Sequence, residues 1–228
     1  MLNRQAFQIP FEFDAQALRE ELSSIPREQV KETYNPYVDA GDLEYLDLIE
    51  PILQQDGSIK FIPNQNLKGR PHLLEVLKHF PSEKKTYRMH TLNPGGEIRE
   101  HRDNQRRYED GDIRVHIALQ SAAGMETYLN GEKIEIKEGS CWYLDLTLPH
   151  RMVNHSAVPR IHLIIDCYRN AWWDALFSEH APEEQAPFAN MSLEELESLQ
   201  FQLSGFEGSA ELTMLQEVAL EIAARKAG

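Results

Sequence analysis

The chain has 228 residues, 41% of them hydrophobic and 26% charged, with a formal charge of -14 and a mean hydropathy of -0.52. Those values suit a globular chain with a real core and exclude disordered and fibrous classes, while the acidic balance argues against nucleic acid and anionic membrane as partners. No apolar run approaches the roughly 20 residues that span a bilayer, and the N-terminal MLNRQAFQIPFEF lacks the layout of a signal peptide, so a cytoplasmic location is expected.

In chain order, Asp14 can cap a first amphipathic helix, Ala15 to Ser23, that Pro26 ends. Residues 34–72 are rich in Pro, Asn, Gly and Asp with short apolar runs, which predicts loops and edge strands. Leu73 to Phe80 reads as a short helix. From Thr86 the pattern turns to strands: Tyr87 to Leu92, Ile113 to Gln120, Glu126 to Leu129, Lys133 to Ile136, Cys141 to Leu146 and Arg160 to Tyr168. Asn130-Gly131 between alternating segments signals a type I′ hairpin. Strands at this spacing without helical crossovers imply an antiparallel sandwich or barrel. After Pro187 the chain becomes helical, with a capping box at Ser192 to Glu195 and a last helix from Ser209 to Ala224, packed on the barrel or on another subunit. Cys141 and Cys167 lie in apolar strand-like runs and read as buried reduced thiols.

Residues 1–83 carry 8 basic and 14 acidic groups and residues 170–228 carry 2 and 11, whereas residues 84–116 carry 8 and 6. An acidic chain therefore concentrates Arg99, Arg102, Arg106, Arg107 and Arg114 in one span, and the planar guanidinium fork suits carboxylates. The same span holds His101-Arg102-Asp103. Two residues apart on an extended strand, His101 and Asp103 point to one face and can reach one metal ion. Two histidines and a carboxylate on one face of an octahedron are the ligand set of non-haem Fe(II) oxygenases, and His150 is the candidate for the third ligand. Arg160, ten residues beyond His150, opens an otherwise apolar strand. A buried arginine there needs an anion, which the far carboxylate of 2-oxoglutarate would supply.

Asn93-Pro94-Gly95, His101, Arg114 to Leu119, Gly139 to Asp145, His150 and Arg160 together resemble the aspartyl/asparaginyl β-hydroxylase family, and Asp103 with Pro159 to Leu163 is nearer its bacterial proline hydroxylase branch. The resemblance covers roughly residues 86–168. It implies a mainly β fold: a double-stranded β-helix (jelly-roll, cupin-like) core with N-terminal and C-terminal helices. The oxygenase domain would span 1–185 and a helical annex 186–228. It also implies Fe(II), 2-oxoglutarate as co-substrate, dioxygen, and ascorbate as the reductant used in vitro. His101, Asp103 and His150 would hold iron, and Arg160, His116 and His90 would serve the co-substrate. Arg114, Arg88, Arg102 and His162 are the candidates for substrate contact. Because iron halogenases of this superfamily lack the carboxylate ligand, Asp103 favours hydroxylation.

The implied reaction hydroxylates an unactivated C–H bond of an amino acid or amino-acid-derived unit, free or in a small peptide, with succinate and CO2 as co-products. The expected partner is a small carboxylate-bearing molecule, with room for a homodimer through the C-terminal helices. Blander alternatives stay open at single positions: Arg160 paired with Asp166, Arg88 as a salt-bridge partner, Arg102, Arg106 and Arg107 on a solvated face, and Trp172-Trp173 in the core. For the whole chain the alternative is a non-enzymatic, cupin-like small-acid binding or sensory protein.

Overall fold

Period-two alternation decides the architecture. In β6 (Lys84–Leu92), β8 (Asp112–Gln120) and β13 (Arg160–Tyr168), one face is mainly apolar: Tyr87 and Met89, Ile113, Val115 and Ile117, Leu163, Ile165 and Cys167. That face joins the main hydrophobic core with Leu18, Leu22, Leu73, Val76, Trp173 and Phe177 from the helices that cover it. The intervening residues, among them Arg88, His90, Arg114, His116, Arg160, His162 and Asp166, share the opposite, inward face.

A computed structural model describes residues 5–32, 35–104, 107–181, 191–205 and 209–227. The remaining elements in chain order are β1 (Ala6–Glu12), α1 (Ala15–Ser23), β2 (Lys31–Glu32), β3 (Leu43–Asp47), β4 (Ile49–Leu53), β5 (Ile59–Pro63), α2 (Pro71–Lys78), β7 (Glu97–His101), β9 (Met125–Leu129), β10 (Glu132–Ile134), β11 (Ser140–Leu144), β12 (His150–Asn154), α3 (Ala171–His180), α4 (Leu193–Leu203) and α5 (Ser209–Ala227). A seven-stranded antiparallel sheet runs β1-β11-β8-β13-β6-β3-β2, a four-stranded one β10-β9-β12-β7, and β4-β5 form a separate hairpin. The inward faces of the two larger sheets meet, as where Arg160 of β13 donates to Thr127 of β9. The architecture is the expected jelly-roll.

Several local expectations hold with a physical cause. Asp14 accepts the Ala17 N–H at the start of α1, Pro71 occupies the first turn of α2, and Ser192 with Glu195 closes a reciprocal capping box on α4. Asn130 (φ 50°) and Gly131 (φ 80°) both adopt the left-handed region that a type I′ turn between β9 and β10 requires. Both cysteines are buried and free. Trp173 is fully buried in the core, with Trp172 packed against it.

Other boundaries differ from the sequence reading. Strand β1 was not expected, although Phe7, Ile9 and Phe11 alternate; Pro10 fits because β1 is an edge strand whose pairing with β11 shifts register between Ile9 and Glu12. The run at 141–146 ends at Leu144, because the Asp145 carboxylate takes the Thr147 N–H and hydroxyl and turns the chain. His150 consequently opens β12. Helix α3 was also not expected; Asn170 caps it by accepting the Trp173 N–H.

The chain divides into two compact units, Met1–Pro182 and Glu183–Gly228. The second is the α4–α5 pair, closed on its own apolar cluster of Leu196, Leu203, Val218 and Ile222. Among the described residues, no helix is long and apolar enough to cross a membrane.

Two turn glycines separate conformational strain from steric conflict. A Cβ at Gly131 would meet nothing within 4 Å, whereas at Gly139 (φ 80°) it would sit 2.7 Å from the Phe13 carbonyl oxygen. Urea unfolding should therefore show Gly131→Ala destabilised by about 1 kcal/mol and Gly139→Ala by about 3 kcal/mol or more. Equal losses would contradict this packing of the β1–α1 connection.

Candidate metal centre

The centre depends on the pairing of β7 with β12, which sets His101 directly opposite His150. Their ring centroids lie 4.2 Å apart. Strand β7 ends at His101, so Asp103 is not on it as the sequence suggested; the Asp103 N–H donates to the Leu146 carbonyl at 2.8 Å, fixing the backbone beside the turn that precedes His150. The ligand atoms of His101, Asp103 and His150 all lie within 4.8 Å of one another, and His101 Nε2 is 3.6 Å from Asp103 Oδ1.

Tautomers follow from the hydrogen bonds. His101 Nδ1 is 2.8 Å from the Arg99 carbonyl oxygen and His150 Nδ1 is 3.0 Å from that of Leu148. A carbonyl only accepts, so each Nδ1 carries the hydrogen and each Nε2 lone pair is left for an external electrophile. Burial lowers the His150 pKa, and the adjacent His101 acts in the same direction, which favours the neutral, ligating form. Tyr37 stacks on the His101 ring at 4.4 Å. Two imidazoles with free Nε2 atoms and a carboxylate fit a divalent first-row metal.

Asp103 is held in turn by Arg114. Arg114 Nη1 donates to Asp103 Oδ2 at 2.9 Å, while Nε and Nη2 donate to the two oxygens of buried Asp166 at 2.6 and 2.9 Å. Burial opposes the Arg114 charge, but the Asp166 and Asp103 carboxylates outweigh it and its pKa is raised. Thr86 donates to Asp166 at 2.8 Å and completes the row. Arg114 was expected to contact substrate; the structure instead commits it to two carboxylates of the protein.

Arg160 is in the opposite condition. It is 6% exposed, its pKa is pushed down to about 10 by burial, and it remains a cation at neutral pH. Its hydrogen-bond partners are neutral: the Thr127 hydroxyl at 3.2 Å and His162 Nδ1 at 3.5 Å. Asp166, the acid that could have paired with it, is taken by Arg114. A buried cation with only neutral partners is costly unless an anion joins it.

Arg160, His90, His116 and Arg114 line one cavity with the three metal-ligating candidates and the apolar walls Ile98, Met152 and Ile164. Its volume is about 100 Å³. Both ring nitrogens of buried His116 lack a hydrogen-bond partner there. Burial first, then the Arg114 and Arg160 charges, hold His116 well below the ordinary histidine range. His90 is pushed down to about 3 by burial and by Arg88 and Arg114.

The other sequence candidates fall elsewhere. His162 sits behind Arg160 and lines a neighbouring cavity. Arg88 faces a different cavity, with Asp47 at 3.9 Å. Arg102 is exposed and donates to the Thr147 carbonyl, outside the metal cavity. Arg99 pairs with Asp39 and Arg107 with Asp110, and Arg106 lies outside the described residues. Sequence reasoning missed Thr127 and Tyr37, since neither a threonine in a short strand nor a tyrosine in a Pro- and Asn-rich loop carries a distinguishing pattern.

A family profile described as Aspartyl/Asparaginyl beta-hydroxylase matches residues 12–170. A Burkholderia pseudomallei oxidoreductase of the 2OG-Fe(II) oxygenase family shares the fold at 14% identity and a TM-score of 0.50, over 73% of this chain and 86% of that one. A predicted oxalate decarboxylase from Thermotoga maritima is similar over 65% of this chain and 96% of its own at 14% identity and a TM-score of 0.39.

The buried neutral histidines set an acid limit on stability. His116 and His162 have folded-state pKa values lowered by burial, so below the unfolded value of about 6.5 the unfolded chain binds more protons and stability falls with pH. Each contributes up to about 1.4 kcal/mol per pH unit in that range. Denaturant unfolding of the metal-free protein between pH 7.5 and 5 should show the decline, and His116→Gln should make it shallower. A slope unchanged by that substitution would contradict the assignment.

Proposed function

The chain belongs to the aspartyl/asparaginyl β-hydroxylase family, and from that premise we propose that it is an Fe(II)- and 2-oxoglutarate-dependent oxygenase that hydroxylates an amino acid or amino-acid-derived unit. The observation that carries the reading is Arg160, a buried cation without a carboxylate partner among the described residues, in the same small cavity as a two-histidine, one-carboxylate cluster. A dicarboxylic acid that reaches from the metal to Arg160 satisfies both ends at once.

His101, Asp103 and His150 would hold iron(II), leaving three coordination positions for ligands. Iron bound there would supply reductive activation of dioxygen coupled to oxidative decarboxylation of 2-oxoglutarate to succinate and CO2, one oxygen atom going to succinate and the other to the substrate C–H bond. The protein's own groups orient and shield. Arg160 takes the distal carboxylate through two parallel N–H donors, and Thr127 and His162 hold its guanidinium in place. His116, with free ring nitrogens, is a donor toward the same ligand. Arg114, donating to one Asp103 oxygen, fixes the orientation of the carboxylate that would be a metal ligand. Ile98, Met152 and Ile164 wall the cavity against water.

Anaerobic addition of 2-oxoglutarate to the Fe(II)-loaded protein should produce a visible charge-transfer band, and air should then release succinate, with ascorbate sustaining turnover. Arg160→Ala should weaken 2-oxoglutarate binding by at least about 30-fold, and Arg160→Lys by less, since an ammonium cannot make the bidentate pair. Unchanged affinity in Arg160→Ala would exclude this role.

A further inference from the structure

A second cavity, of about 610 Å³, opens where the β4–β5 hairpin lies beside the inward edge of β6. Its lining includes Arg88, Thr86, Asp47, Lys31 and Phe61. Arg88 and His90 are two residues apart on one strand, so the inward face of β6 runs from this cavity into the metal cavity. Thr86, Asp166, Arg114 and Asp103 form a continuous chain of hydrogen bonds between the two.

The charges in this cavity are not satisfied by one another. Arg88 Nε is buried and has no hydrogen-bond partner. Its nearest carboxylate oxygen, on Asp47, is 3.9 Å away, and Lys31 Nζ stands 3.7 Å from the other Asp47 oxygen. Charge-assisted hydrogen bonds close to about 2.7–2.9 Å, so neither cation has closed on Asp47. Among the described residues no hydrogen bond reaches the Asp47 side chain. A guanidinium whose buried Nε lacks an acceptor thus stands opposite a partly exposed carboxylate without closing on it. The ligand complementary to that pair carries a carboxylate and an ammonium on neighbouring atoms.

We propose that this cavity is the substrate head-group site and that its ligand is a free α-amino acid, its carboxylate on Arg88 and its ammonium on Asp47. The inference rests on the oxygenase reading for its consequence, since the amino acid's side chain then extends along β6 toward His90 and the metal. It goes further by choosing the free amino acid over a residue within a peptide, in which neither the carboxylate nor the amine is ionised.

The test is calorimetric binding of the free L-amino acids to the full-length, iron-free protein, with the N-acetyl and carboxamide derivatives of whichever binds best. The wild type should prefer the free acid to its carboxamide by at least about tenfold, and the free amine to its N-acetyl form by a similar factor. Arg88→Gln should abolish the first preference while keeping the second, and Asp47→Asn the reverse. Such paired losses are beyond a merely structural role, which would weaken all ligands together. Equal binding of free and blocked forms by the wild type, no binding of any free amino acid, or preferences that survive the substitutions would overturn the proposal. Succinate release distinguishes the two levels: discrimination without 2-oxoglutarate turnover retains the head-group site and retires the oxygenase reading, and turnover without discrimination does the opposite.

Discussion

Each of the two facing histidines of β7 and β12 gives its Nδ1 hydrogen to a main-chain carbonyl two residues before it. This local bond turns Nε2 outward, and the strand register brings the two Nε2 atoms within reach of one ion. A one-residue slip between β7 and β12 would send one of the rings to the opposite face of the sheet. Asp103 joins them through a separate tether, its N–H on the Leu146 carbonyl, so the turn at Asp145–Thr147 serves both the second histidine and the carboxylate.

Around this centre the inward face of the large sheet is divided by charge. Toward one end Arg114 is neutralised by Asp103 and Asp166; toward the other Arg160 has, among the described residues, the neutral partners Thr127 and His162. The same residue type therefore has two functions decided by its acidic neighbours: one arginine is part of the scaffold of the metal ligands, and the other is an anion receptor. Burial, with Arg114 and Arg160 acting on His116 and Arg160 on His162, keeps these histidines neutral, so Arg160 is the cation left to receive an anion. The acidic surplus of the chain lies mostly outside residues 84–169, which is how a protein of charge -14 can contain a site for carboxylates.

Much of this was legible in the sequence because the chemistry is carried by short periodic segments. The alternation in β6, β8 and β13 predicted which side chains face inward, and the spacing of His101, Asp103, His150 and Arg160 predicted one centre from distant strands. What was not legible depended on long-range partners. Nothing in the sequence near Arg114 says that Asp166, 52 residues away, will claim its guanidinium. Arg88 shares the inward face with His90 but serves a different cavity, because β3 places Asp47 opposite it. The run from Leu144 to Leu148 has the composition of a strand, yet a single Asx turn at Asp145 breaks it and makes His150 the first residue of the next strand. Strand β1 escaped notice because Pro10 argues against a central strand and only the sheet order shows that β1 is an edge.

The central claim is that His101, Asp103 and His150 form one metal site through their carbonyl-directed Nε2 atoms and a tethered carboxylate. Anaerobic equilibrium dialysis against Fe(II), repeated with Co(II) as a spectroscopic substitute, measures this directly. One ion per chain in the wild type, lost in His150→Ala and weakened in Asp103→Ala with the fold intact by circular dichroism, is the predicted result. Stoichiometric metal retained by His150→Ala, with an unchanged Co(II) spectrum, would contradict it.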